Sequence, residues 1–343
     1  MSADPRRDRA LGALLGGALG DALGMPTQTL SRAEIQATYG VIEDFVAPHA
    51  EHPVSHGLPA GAITDDTEQS VLLARRLIAG GGTFDERAWV ADLLAWERDV
   101  AARGLRDLLG PSTKRALADI LAGIPAERAG RFGDTNGAAM RIAPVAIATP
   151  MRPLAHLVDR VEETCRVTHN TGLAIAAAAA VAAAISAGID GAAWREAIDF
   201  AGDAARLGQT RGYDPHGPDI AGRIALACGL AADHQPAVAL ERIAAEIGTG
   251  VAAQESVPAA FGILILAEGD AWQAGLIGAA IGDDTDTIAA IAGAIAGACS
   301  GAAALPADKV ETVCRVNRLD LGPTVDGLLA LRDRAGTAAE AQA

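Results

Sequence analysis

Apolar residues along this chain recur at helical spacing, and no stretch alternates apolar and polar residues in the manner of successive strands. The segment TFDERAWVADLLAWERDV predicts a helix starting at Thr83, with Glu86 three residues on as a capping-box partner. STKRALADILAG predicts a shorter helix capped by Ser112 and ended by Gly123 and Pro125, and Pro153 opens another over RPLAHLVDRVEETCRVTH. Further helix starts fall near Asp190, Asp219, Pro236, Glu255, Asp270 and Pro306. The connections are short and rich in Gly, Pro, Asp and Asn, as between packed helices. The longest irregular segments are Gly40 to Ala62 and Gln209 to Pro218. No repeat stands out, so a single all-α domain over 1–335 is expected, with a flexible tail over 336–343.

Two stretches, Gly172 to Ile189 and Thr287 to Pro306, carry no charge. They are mostly alanine and glycine, with few of the residues that drive membrane insertion, so they read as core helices of a large all-α protein. Composition agrees: half the chain is hydrophobic, while aromatics make up only 3%. Such a mix favours helices packed closely over small residues and disfavours a strand-rich fold. The net charge of −15 shows no basic stripe, which argues against nucleic acid as a partner. Four cysteines at wide spacing suggest neither zinc nor redox chemistry and fit buried thiols in a reducing cytoplasm. Acids and glycines interrupt the N-terminal apolar run, which therefore does not read as a signal peptide.

Candidate chemistry begins at Thr64-Asp65-Asp66-Thr67, directly before an apolar helix. A helix start needs one capping residue; a second adjacent carboxylate adds repulsion. Far along the chain GDDTDTIAAIAGAIAGA, from Gly282, repeats the pattern with Asp283, Asp284 and Asp286. Facing one another, the two clusters would supply several carboxylates and hydroxyls, all hard oxygen donors suited to Mg²⁺, Mn²⁺ or Ca²⁺. Successive helical residues point about 100° apart, so Asp65 and Asp66 suit two neighbouring ions better than one. The N-terminal GALLGGALGDALGMPTQ places small residues about every four positions, allowing a neighbouring backbone to approach. GDTNGAAMRIAPVA, from Gly133, offers backbone N–H groups to a phosphate at a helix start.

In that order, GDALGMP, TDDT, TNGAAMR, THN at Thr168 to Asn170, and GDDTDT resemble the ADP-ribosylglycohydrolase family, over roughly Leu11 to Ala298. The resemblance implies a compact all-α fold of orthogonally packed helices and a pair of divalent cations, Mg²⁺ or Mn²⁺. It implies hydrolysis of the glycosidic bond at the anomeric carbon of ADP-ribose, through water activated by metals that also bind the ribose hydroxyls. By position, Thr64, Asp65 and Asp66 match the first ligand group, and Asp284, Asp286 and Thr287 the second. Asp283 stands where many members have glycine and reads as an extra acid. Asn136 and Gly137 match a loop cradling diphosphate or ribose, and His169 a histidine lining the substrate pocket.

One position departs from the family. Seven residues after Asp21, where many members carry a glutamate beside the metals, this chain has Gln28. An amide can hydrogen-bond to a ribose hydroxyl or a bound water but cannot act as a general base near neutral pH. Asp66 is the first candidate to take over that role, with Glu68 and Glu255 behind it. His49, His52 and His56 lie in an irregular segment without the spacing of a zinc site, leaving a rim or lid role. The substrate expected is an ADP-ribosylated protein or a small ribosyl compound. Hydrolysis of a free nucleoside or N-riboside, and a non-catalytic ADP-ribose-binding or structural role suggested by Gln28, stay open alternatives. Phe132 and Tyr213 are the aromatics available to stack on an adenine. The sequence leaves the oligomeric state open.

Overall fold

The computed structural model describes residues 4–104, 109–214 and 216–340. Among them lie eighteen α-helices and no strand, as the periodicity predicts. The first half of the chain contributes α1 (Pro5–Gly24), α2 (Arg32–Tyr39), α3 (Asp65–Ala79), α4 (Glu86–Ala102), α5 (Pro111–Leu121), α6 (Ala126–Ala129), α7 (Gly137–Met140), α8 (Ala143–Ala148) and α9 (Leu154–Cys165). The second half contributes α10 (Gly172–Ile189), α11 (Trp194–Gly208), α12 (Ile220–Asp233), α13 (Pro236–Arg242), α14 (Ala253–Leu266), α15 (Ala271–Gly278), α16 (Thr285–Ser300), α17 (Ala307–Asn317) and α18 (Gly322–Glu340). The last helix continues past 336, where the sequence predicts a tail; residues 341–343 lie outside the described set.

Helix α10 runs through the middle, with α7, α8, α9, α11, α14 and α16 around it. Among the described residues it is the one helix long and apolar enough to cross a membrane, and 94% of it is buried inside the protein. Its run of alanines lets many neighbours share one helix, because each side chain claims little width.

The most extensive helix pair is α1 against α16, and glycine makes it possible. A Cβ at Gly20 would lie 2.1 Å from the Ala289 carbonyl oxygen, and one at Gly24 only 2.4 Å from the Asp286 Cα. Backbones at that spacing exclude any larger residue. The acid-rich start of α16 is thereby held against the end of α1. There the Thr27 hydroxyl meets the Thr285 hydroxyl at 2.9 Å, and Thr285 donates to the Gly24 carbonyl at 2.9 Å.

Several predicted helix starts shift by a few residues. Asp85, not Thr83, caps α4, accepting from the Arg87 and Ala88 N–H groups, because a carboxylate closer to the apolar run outcompetes the threonine. Ser112 does not cap α5. Pro111 occupies the first turn, where its missing N–H costs nothing, and the Ser112 hydroxyl instead accepts from the Thr135 N–H at 3.4 Å. The start predicted near Asp190 falls at Trp194, after Ala193.

Candidate active site

The first acidic motif is held in place by a residue that spacing alone does not single out. Asp21 projects from α1 and is fully buried. It accepts from the Thr64 N–H at 2.9 Å, the Thr64 hydroxyl at 2.8 Å, the Thr67 N–H at 3.1 Å and the Thr67 hydroxyl at 2.6 Å. Asp21 thus satisfies the orphan donors at the start of α3 from outside, where an anion is favoured by the helix dipole. That frees Asp65 and Asp66 from capping duty. The available signal was a single acid inside the apolar, glycine-rich part of α1, over 10–24.

The second motif starts α16. Asp284 precedes the helix and accepts a hydrogen bond from the Asn136 amide, and its N–H donates to the Thr249 carbonyl at 2.9 Å. Asp286 is 3% exposed, and Thr287 donates to Asp66 Oδ2 at 3.3 Å, joining the two motifs. Asp283 faces elsewhere. At φ 59° it turns the chain in a left-handed conformation that Asp tolerates, and its carboxylate accepts from the Thr249 hydroxyl at 2.9 Å.

Four carboxylates, Asp65, Asp66, Asp284 and Asp286, therefore share one wall with Asp21 behind it. Burial pushes Asp21 up to about 7, against the hydrogen bonds from Thr67 and Thr64. Burial raises Asp284 to about 6, and burial with the charge of Asp284 raises Asp286 to about 7. Asp65 and Asp66 are held well above the usual carboxylate range by burial first and then by Asp286. Protein alone leaves this wall unsatisfied: Asp66 Oδ1 and Asp286 Oδ1 are buried with no hydrogen-bond partner. A divalent cation answers both the repulsion and the orphan oxygens, and the donors are all hard oxygen, the chemistry of Mg²⁺ or Mn²⁺. Among the described residues no three Asp, Glu, His or Cys side chains form a ready cage. An ion of the Mg²⁺ type does not require one, since it binds through one or two carboxylates and keeps several waters.

The wall opens onto a cleft of about 270 Å³. Asp65, Asp284, Asp286 and Thr287 line it together with Thr135, Asn136 and Gly137 and the start of α5 with Thr113 and Lys114. Thr64 and Asp66 do not reach it. Thr64 is turned to Asp21, and Asp66, 2% exposed, lies on the inner side of the wall beside a cavity of about 20 Å³. The expected base Asp66 is thus displaced from the open cleft, because successive residues at the start of α3 diverge and only Asp65 points outward. The other two candidates are absent from the lining. Glu68 is held by Trp96 Nε1 at 2.6 Å and by Arg103, and Glu255 accepts from the Gly250 N–H at 3.1 Å.

Gln28 does reach the cleft, with its amide donating to the Ser55 hydroxyl at 2.8 Å. His52 Nε2 lies 3.0 Å from the Gln28 carbonyl oxygen and His52 Nδ1 accepts from the Ser55 N–H at 2.9 Å, so this histidine braces the Gln28 loop. His169 is not on the cleft surface. It is fully buried behind the 135–137 loop, where a Cβ on Gly137 would come within 2.9 Å of its ring. Phe132 and Tyr213 border a separate cleft of about 460 Å³ beyond Asp134.

The sequence profile of the ADP-ribosylglycohydrolase family matches residues 2–340. The chain is 34% identical to the Escherichia coli (strain K12) protein YegU over 332 residues, covering 96% of this chain and 98% of that protein. Over 185 residues it is 35% identical to the ADP-ribosyl-[dinitrogen reductase] glycohydrolase of Rhodospirillum rubrum, covering 52% of this chain and 56% of that enzyme. Among solved structures, an ADP-ribosylglycohydrolase-related protein complex superposes with a TM-score of 0.65 at 26% identity, covering 96% of this chain and 99% of the other.

Proposed function

Since the chain belongs to the ADP-ribosylglycohydrolase family, whose members are glycoside hydrolases acting on ADP-ribosylated substrates, we propose that it is a divalent-metal-dependent hydrolase of an ADP-ribosyl glycosidic bond. The observation that carries this reading is the single wall formed by Asp65, Asp66, Asp284 and Asp286, with two orphan oxygens, beside a loop of polar and backbone donors. Thr64, Asp65, Asp66, Asp284, Asp286 and Thr287 would hold two Mg²⁺ or Mn²⁺ ions. Bound there, such ions supply Lewis-acid activation of a water and a grip on neighbouring ribose hydroxyls.

The protein's own groups orient and exchange protons. Asp65, held through Oδ2 by Gln69 Nε2 at 3.2 Å, is the cleft-facing carboxylate of its pair and is placed to take the proton of the attacking water. Gln28, fixed by Ser55, is placed to hydrogen-bond to a ribose hydroxyl. A diphosphate is favoured over an uncharged riboside by the start of α5. That helix has no side-chain cap, and it brings Thr113 and Lys114 to the same cleft as Asn136 and Gly137.

Purified protein incubated with ADP-ribosyl-arginine, ADP-ribosyl-serine and plain nucleosides, with EDTA or with Mg²⁺ or Mn²⁺, tests the proposal. The expected result is release of ADP-ribose that needs the ion and is lost in Asp65→Ala. Turnover of nucleosides alone, or ligand binding with no turnover across the panel, would overturn it.

A further inference from the structure

Arg141, the C-cap of α7, is 1% exposed and hydrogen-bonds to neutral groups rather than to a carboxylate, although the charge of Asp65 still bears on it. A guanidinium is costly to bury, so its neutral contacts must be well formed. It stacks over the Trp89 ring at 5.3 Å and spends its donors in two directions. One nitrogen donates to Gln69 Oε1 at 2.7 Å, and Gln69 Nε2 donates to Asp65 Oδ2 at 3.2 Å. The other donates to the Thr168 hydroxyl oxygen at 2.6 Å.

The second branch has a direction. Thr168 accepts from Arg141, and among the described residues the other partner of its hydroxyl is His169 Nδ1, 2.8 Å away, so the buried O–H is satisfied by donating to that nitrogen. His169 then carries its proton on Nε2 and donates to the Thr135 hydroxyl oxygen at 3.0 Å, on the cleft wall. Burial and the neighbouring Arg141 keep that ring neutral, as one donor and one acceptor require. The other end of α7 is tied to the acids as well, through Asn136 and Asp284.

We propose that Arg141 is a positioning residue that sets the orientation of Asp65 through Gln69 and of Thr135 through Thr168 and His169, so that one buried cation registers the metal face against the substrate loop. This rests on the reading of Asp65 as a metal ligand and of the 135–137 loop as a substrate contact.

Three variants separate the branches: Gln69→Leu, Thr168→Val and Arg141→Met. The readouts are Mg²⁺ affinity by calorimetry without substrate, the ¹⁵N spectrum of the His169 ring, ADP-ribose affinity with Mg²⁺ present, and the melting temperature. Gln69→Leu should weaken Mg²⁺ binding about tenfold, the scale of losing an outer-shell partner, with the His169 spectrum unchanged. Thr168→Val should do the reverse: the ring loses its fixed Nε2–H tautomer and ADP-ribose binding falls, while Mg²⁺ affinity holds. Arg141→Met should do both. Lowered melting temperatures with both local readouts intact would overturn the proposal, reducing Arg141 to a packing residue. Should Arg141→Met fail to fold, the two single-branch variants decide the matter. Should ADP-ribose fail to bind the parent protein, the hydrolase reading falls, while the Mg²⁺ and ¹⁵N readouts still judge the relay.

Discussion

At the residue scale, Asp286 works against the fold that carries it. Its carboxylate is buried beside Asp284 and leaves one oxygen without a partner. Asp286→Asn should therefore abolish metal-dependent hydrolysis and yet raise the melting temperature of metal-free protein. Relief of about 1 kcal/mol corresponds to roughly 1–2 °C in a chain of this size, measured by scanning calorimetry in EDTA. Gln28 points the other way. The Ser55 hydroxyl can turn from acceptor to donor, so Gln28→Glu fits the same pocket and adds a carboxylate to the cleft. Its turnover should rise about tenfold or more, the lower range of what a positioned acid–base group contributes, with a new acid limb in the pH–rate profile. The acids at 65, 66, 284 and 286 were legible because each pair exceeds what a helix start needs. Asp21 was not, since an acid inside a small-residue helix looks like an interruption until Thr64 and Thr67 are seen to converge on it. Which of Asp65 and Asp66 faces the cleft depends on how α3 is rotated, and periodicity leaves that undetermined.

At the element scale, the α1–α16 seam lets the effect of a lost site be separated from that of a lost fold. A Cβ at Gly12 would lie 2.2 Å from the Gly297 carbonyl oxygen, about as tight as the 2.4 Å from Gly24 to the Asp286 Cα. Gly12→Ala and Gly24→Ala should then destabilise comparably, by about 1–3 kcal/mol or more, as overpacked positions do. Only Gly24→Ala displaces the start of α16, so only it should weaken Mg²⁺ binding, read by calorimetry on both variants below their melting transitions. The small-residue spacing of α1 announced a close partner in the sequence. It could not name α16, because many helices here are equally rich in alanine and glycine. The shifted starts of α4 and α5 show the same limit: several capping residues compete locally, and tertiary partners such as Thr135 for Ser112 choose among them.

At the scale of the whole molecule, the acidic wall ties stability to pH and to metal. Asp21, Asp284 and Asp286 are raised to about 7, 6 and 7, above the unfolded carboxylate range near 4. Below pH about 4 both states are protonated and these groups cost nothing. As pH rises from there to about 7 the unfolded chain gives up its protons first, so the metal-free fold loses stability across that window. Melting temperature against pH in EDTA should therefore fall from the acid side toward neutrality, and excess Mg²⁺ should remove or reverse that slope by binding the ionised folded form. A flat profile in EDTA would mean the carboxylates are not crowded as described. The all-α class was readable from periodicity and composition, because helices pack by the small-residue faces they show. The meeting of segments from opposite ends of the chain was suggested only by two like motifs.

That meeting bears on how the protein is made. The wall takes Asp65 and Asp66 from α3, Asp284 from just before α16 and Asp286 from its first turn, and Asp21 backs it from α1. A ribosome releases Asp21, Asp65 and Asp66 early and Asp284 and Asp286 late, and domains tend to form from the N-terminal end as they emerge. Until α16 arrives, α1 offers an unfilled groove of glycines and α3 a half-set of carboxylates. Nascent chains stalled before residue 284 should therefore neither retain Mg²⁺ nor resist protease, and both properties should arrive together once α16 clears the exit tunnel.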